Sequence, residues 1–184
     1  MTDNSTERSG PAAAVLGAAT VATGLIAGVF YVFACAVMPA LARSDDRVFI
    51  EVMQNIDEVI QNPVFLLGFL GALVLTAVAA WQSRGAPDRW WVLAAFIAYT
   101  FAFAVTVTVN VPLNDALADA GPPARITDPA AVRDRFEDTW VAWNVVRAVS
   151  STLALACLAA APLRHRRPQA SAYLASAAGS SASR

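Results

Sequence analysis

A chain of 184 residues, 57% hydrophobic and only 15% charged, is long enough for one domain and too apolar for a soluble globule. Its mean hydropathy of +0.51 places it among integral membrane proteins. The net charge of −1 gives no reason to expect a nucleic-acid partner.

In chain order, residues 1–11 are polar and read as a disordered N-terminus. Ala12 to Met38 is then almost uninterrupted apolar sequence, long enough to span a bilayer and too long for the core of a cleaved signal peptide. Within it, Gly24 and Gly28 form a small-xxx-small pair that permits close helix contact. Met38-Pro39 closes this span, and a charged connector runs from Ala42 to Asn62. There Phe49, Met53, Ile56 and Ile60 recur at helical spacing, with Glu51, Asp57 and Glu58 elsewhere around the turn. That pattern predicts a short amphipathic helix at the surface or capping the bundle.

Asn62-Pro63 opens a second span, 64–81. The turn from Gln82 to Arg89 is short and holds Gly85 and Pro87, so the second and third spans form an antiparallel hairpin. The third span covers 90–111. Its Thr106 and Thr108 can bond back to the helix, and Pro112 ends or kinks it. A long acidic connector follows, in which Asp128-Pro129 has the form of an N-cap and first turn. The fourth span covers 140–163. Residues 164–184 hold the cluster Arg164-His165-Arg166-Arg167 and an Ala/Ser-rich tail expected to be disordered.

The predicted fold is therefore all-α: a polytopic, up-down bundle of four transmembrane helices over residues 12–163. All basic residues are arginine; the termini and the 82–89 turn carry seven of them, the two long connectors five. That bias puts both termini in the cytoplasm of a multi-pass cell-membrane protein. Cys35 and Cys157 lie in apolar runs and read as small buried hydrophobes. The only histidine, His165, falls outside every span. No haem, metal or other cofactor is expected.

Polar residues concentrate at the end of the third span and the start of the fourth. Asn110 and Asn114 are one turn apart; Trp140, Trp143, Asn144 and Arg147 share one helix face at i, i+3, i+4 and i+7. Arg147 lies about 10 Å along the helix from Trp140. Amides and a guanidinium at that depth are expensive unless they face a bundle interior or one another. One reading is structural: belt tryptophans, a snorkelling arginine and an interhelical amide pair. The other is a site, because a belt leaves Asn144 and Arg147 without a reason.

Val109-Asn110-Val111-Pro112-Leu113-Asn114, followed by Trp140-x-x-Trp143-Asn144-x-x-Arg147, resembles the signature of the anthrone oxygenase-like family of small four-helix membrane proteins. Val37-Met38-Pro39-Ala40-Leu41 and the 49–56 stretch resemble its first connector, and the likeness extends over roughly 17–163. The resemblance implies conversion of an anthrone of polyketide origin to a quinone with molecular oxygen and without metal or flavin. In that chemistry Arg147 supplies fixed positive charge, with Asn110, Asn114 and Asn144 as amide donors to a developing oxyanion. Trp140 and Trp143 stack on the polycycle. The base is the open question, with Asp115 and Asp138 as candidates, unless the substrate titrates near neutral pH and needs none. The alternative is a non-catalytic membrane component: a carrier, or an accessory or assembly subunit.

Overall fold

A computed structural model describes residues 10–181, with side chains as far as Leu163. Residues 1–9, 182–184 and the side chains of the basic cluster and Ala/Ser-rich tail lie outside that description. The chain is helical throughout, with no strand among the described residues. Four helices are long and apolar enough to cross a membrane: Gly10–Leu41, Pro63–Gln82, Arg89–Asp119 and Pro129–Leu163.

The first is built from α1 (Gly10–Val32), a π-helical turn at Phe33–Val37 and α2 (Met38–Leu41). Helix α3 (Asp46–Ile60) is the predicted amphipathic helix of the first connector. Helix α4 (Pro63–Gln82) starts where the Asn62 side chain accepts from the amides of Val64 and Phe65, both at 3.0 Å. Helix α5 (Arg89–Val105) passes through a second π-helical turn, Thr106–Asn110, into α6 (Val111–Asp119). A 3₁₀ turn (Pro123–Arg125) precedes α7 (Pro129–Ser181).

Four boundaries differ from the sequence reading, one of them at the C-terminal end, where α7 runs on to Ser181 through the basic cluster and the tail expected to be disordered. Helix α1 begins at Gly10, inside the stretch read as disordered. Pro112 does not end the third helix. A proline ring crowds the carbonyl four residues back and supplies no N–H, and here the turn ahead of it widens to π geometry while the helix continues to Asp119. Pro39 follows a π turn in the same way. Thr106 and Thr108 do bond back, to the carbonyls of Ala102 and Ala104 at 2.9 and 2.8 Å. The fourth helix starts eleven residues before Trp140, at Pro129, capped by Asp128, which accepts from Ala131 N at 3.1 Å.

Helix α1 packs against α4 and α7, and α5 against the same two, which closes a four-membered ring. Its core is rich in small side chains, including Ala72, Ala95 and Ala154, which let the backbones approach. Of the glycine pair, Gly24 faces Leu155 of α7, but Gly28 has open space beside it. The pair is not a helix-contact motif here. Leu25, Leu67, Val74 and Leu153 are exposed around the outside, as on a surface covered by lipid. At the hairpin end, Arg84 and Arg89 stack on Trp81 and Trp90.

At the opposite end, carrying both long connectors, α3 forms a roof. Its Phe49, Ile50 and Met53 pack with Met38, Leu117, Ile126, Phe136 and Trp140 into a second core. Polar clamps hold it there. Gln54 donates to the carbonyls of Leu117 and Gly121 at 2.8 and 3.2 Å, and Arg47 to those of Pro123 and Ile126. Arg133 pairs with Asp46 and Glu137 at 3.0 and 2.6 Å and lies over the Phe49 ring.

Candidate functional site

Beneath that roof lies a cavity of about 260 Å³, walled by α1, both π turns, α3, α4, α6 and α7. Phe30, Phe33, Phe65, Phe69 and Trp140 give it an aromatic lining. Phe65 and Phe69 lie nearly parallel at 5.9 Å between centroids, and Phe33 stands tilted against Trp140 at 5.8 Å. Seven polar side chains interrupt that lining: Asp57 and Gln61 at the roof, Thr106 in the second π turn, Asn114 and Asp115 on α6, and Asn144 and Arg147 on α7.

Arg147 is 5% exposed. Its Nη2 donates to Asn144 Oδ1 at 3.0 Å and its Nη1 makes a long contact, 3.5 Å, with Thr106 Oγ1. The guanidinium lies 4.5 Å from the ring centroid of Phe30 and 5.2 Å from that of Trp140. Nε is buried and has no hydrogen-bond partner among the described residues. Among the described residues Arg147 forms no ion pair to a carboxylate. A buried ion loses several kcal/mol of hydration. A hydrogen bond to a charged group returns about 1.5–3 kcal/mol, and a cation–π contact about 0.5–2 kcal/mol. These partners offset much of the loss but leave an uncompensated positive charge on the wall of an apolar cavity. That is a setting for an anionic ligand.

Asn144 holds this cation in place from one turn back on α7, while its Nδ2 donates across the bundle to the Phe30 carbonyl at 3.2 Å. Trp140, one turn earlier, is tied to the third helix twice. Its Nε1 donates to Asn114 Oδ1 at 2.8 Å, and its carbonyl accepts from Asn110 Nδ2 at 3.3 Å. Asn114 in turn donates to Asp57 Oδ1 at 2.6 Å. The π turn at Thr106–Asn110 sits opposite these groups, a placement common for π turns at functional sites.

The structure thus gathers Asn114, Trp140, Asn144 and Arg147 on one cavity wall. Asn110 is fully buried behind Trp140 and does not line the cavity. Trp143 does not join the group: it is 37% exposed and faces away from the cavity. Of the two carboxylates considered as bases, Asp115 lines the cavity and Asp138 is exposed outside it.

Asp57, which the sequence reading sets apart from the apolar stripe of α3, also lines the cavity. Steps of four from Phe49 through Met53 reach Asp57, so this carboxylate stands in the apolar stripe of α3, flanked by Ile56 and Ile60. That position was the available signal. Burial pushes the Asp57 carboxyl above its ordinary range, opposed by the hydrogen bond from Asn114 and reinforced by the nearby charge of Asp115. Among the described residues no three His, Cys, Asp or Glu side chains form a metal-binding group.

Residues 58–157, more than half of the chain, match the family model described as anthrone oxygenase. The chain belongs to the anthrone oxygenase family. The matched segment opens in α3 and closes in α7, taking in Asn110, Asn114, Trp140, Asn144 and Arg147. The α1 side of the cavity, with Phe30 and Phe33, and Asp57 itself lie ahead of the segment matched to the anthrone oxygenase model. No curated protein and no solved structure matches the chain.

Proposed function

We propose that the cavity binds an anthrone-type polycyclic phenol and that the protein oxygenates it to a quinone with molecular oxygen. The observation that carries this reading is Arg147, a buried cation with no paired carboxylate among the described residues, placed between two aromatic rings on a cavity wall. An anthrone anion has the complementary form: a flat polycycle with negative charge on a ring oxygen. The cavity, about 260 Å³, suits a compact ligand, since sites for drug-sized molecules run from roughly 300 to 1,000 Å³.

Anthrone oxygenation is favoured by stabilising the anion. Removal of a methylene proton leaves charge delocalised onto the ring oxygen, where Arg147 stabilises it in a low-dielectric setting. The electron-rich anion transfers an electron to oxygen, and the two radicals combine at the former methylene carbon. Loss of water from the resulting peroxide gives the quinone carbonyl. One atom of O₂ ends in the quinone and the other in water with both methylene hydrogens, so no external reductant is consumed. The protein contributes charge, orientation and exclusion of solvent.

Purified protein in detergent should accelerate oxygen uptake by 1,8-dihydroxyanthrone without added metal, flavin or nicotinamide, and ¹⁸O₂ should label one quinone oxygen. Folded protein that leaves oxygen uptake at its background rate would instead support a non-catalytic membrane component.

A further inference from the structure

Two carboxylates line the cavity, and their surroundings differ. Asp115 is exposed on α6. Asp57 is half-buried under α3, and both of its oxygens are held: Oδ1 by Asn114 Nδ2 at 2.6 Å and Oδ2 by Gln61 Nε2 at 3.2 Å. Asn114 also accepts from the Trp140 indole, against whose ring Arg147 packs. One side-chain chain, Asp57–Asn114–Trp140, therefore fixes a carboxylate and a cation relative to the same aromatic wall. The two charges come from different helices and do not form an ion pair.

We infer that Asp57 is the proton acceptor of this site, taking the substrate's acidic C–H proton while Arg147 holds the ring oxygen. The inference rests on the function proposed above. In an anthrone the acidic methylene and the oxygen stand on opposite edges of the central ring. A base beside the cation could not reach the methylene once the oxygen is seated there; a base on another wall can. In the step itself the C–H bond breaks, the proton passes to a carboxylate oxygen of Asp57, and the bonding electron pair delocalises onto the oxygen facing Arg147.

Proton transfer is most efficient when the base titrates near working pH, and Asp57 is displaced in that direction, by burial first and by Asp115 from α6. Arg147 is the charged side chain that α7 adds to the cavity, and the α4 residues lining it are Phe65, Leu66 and Phe69. On α3 itself Glu58 shares an outer groove with Asp57, where solvent screens it.

The test separates proton removal from oxidation. Full-length protein in detergent is mixed anaerobically with 1,8-dihydroxyanthrone in D₂O, and methylene deuterium uptake is followed by mass spectrometry. Wild type should speed exchange above the buffer rate. Asp57→Asn should lose roughly 10²-fold or more of that acceleration while still binding the ligand; Asp57→Glu should recover part, and Asp138→Asn should match wild type. Should Asp57→Asn not fold, the pH profile of exchange decides. Asn114→Ala removes a donor to the charged carboxylate, so the acid limb should move to higher pH. Undiminished exchange in Asp57→Asn, or an acid limb unmoved in Asn114→Ala, overturns the role of Asp57 and leaves the oxygenase reading standing. Wild type that neither exchanges deuterium nor consumes oxygen overturns both.

Discussion

Trp140 Nε1 and Asn114 Oδ1 meet at 2.8 Å across the junction of α6 and α7. This bond joins the two halves of the polar cluster, which are 26 residues apart in sequence. It also sets the plane of the indole that forms one face of the cavity and one face of the Arg147 pocket.

Loss of the indole should therefore be felt in both binding and stability. Trp140→Phe keeps a ring but removes the hydrogen bond to the part-buried Asn114 carbonyl, a destabilisation of about 0.5–1.5 kcal/mol. It should lower the melting temperature in detergent and weaken affinity for a polycyclic phenol. Trp143→Ala should change affinity less than twofold, because Trp143 lies outside the cavity. Fluorescence titration of both variants checks the pair; equal losses would return Trp143 to the site.

Arg147→Ala should reduce oxygen uptake by on the order of 10²-fold, the usual cost of removing one donor to a developing oxyanion. Arg147→Lys should recover only part, since an ammonium keeps charge but not the planar fork of donors. Circular dichroism has to show a folded bundle in each case, because Asn144 depends on Arg147 for one of its hydrogen bonds.

Asp57 predicts a pH dependence of stability. Its carboxyl is raised from the ordinary value of 3.8, chiefly by burial, so the folded state binds its proton more tightly than the unfolded chain does. Asp57 therefore opposes folding by an amount that builds as pH rises from 3.8 to its folded-state value, is full above that value, and is gone below 3.8. Asp57→Asn should be more heat-stable than wild type at neutral pH, with the difference shrinking on acidification. A variant less stable than wild type at neutral pH would contradict this sign.

The orientation inferred from arginine distribution can be checked by labelling. With Cys35 and Cys157 replaced, single cysteines at Asp3, Ala86 and Ala175 should resist an impermeant maleimide applied outside intact cells. A cysteine at Glu58, on the exposed side of the roof helix, should react. Reaction at Ala86 would invert the bundle.

Most of the architecture was legible because membrane spans announce themselves by length and hydropathy, and the turn at Gly85 and Pro87 fixes one hairpin. Asn114, Trp140, Asn144 and Arg147 were legible for a second reason: helical spacing brings residues three or four apart to one face. What periodicity could not give was the partner of each. Asp57 meets Asn114 over 57 residues of sequence, and Asn144 meets the Phe30 carbonyl over 114. Such contacts depend on how the helices are arranged. Proline left two outcomes open locally: Pro112 reads as a helix end or a kink, and widening one turn to π geometry carries the helix past it. Trp143 shares an averaged face with Arg147, but 37% exposure puts it at the edge of that face.

The central claim is that Arg147 holds a substrate anion, and the absorption spectrum of an anthrone bound without oxygen tests it most directly. Wild-type protein should display the long-wavelength band of the anthrone anion at a pH where the free ligand is neutral, and Arg147→Ala, folded and saturated with ligand, should not. A neutral-form spectrum on the wild-type protein, or an anion band of equal strength in Arg147→Ala, would contradict the account.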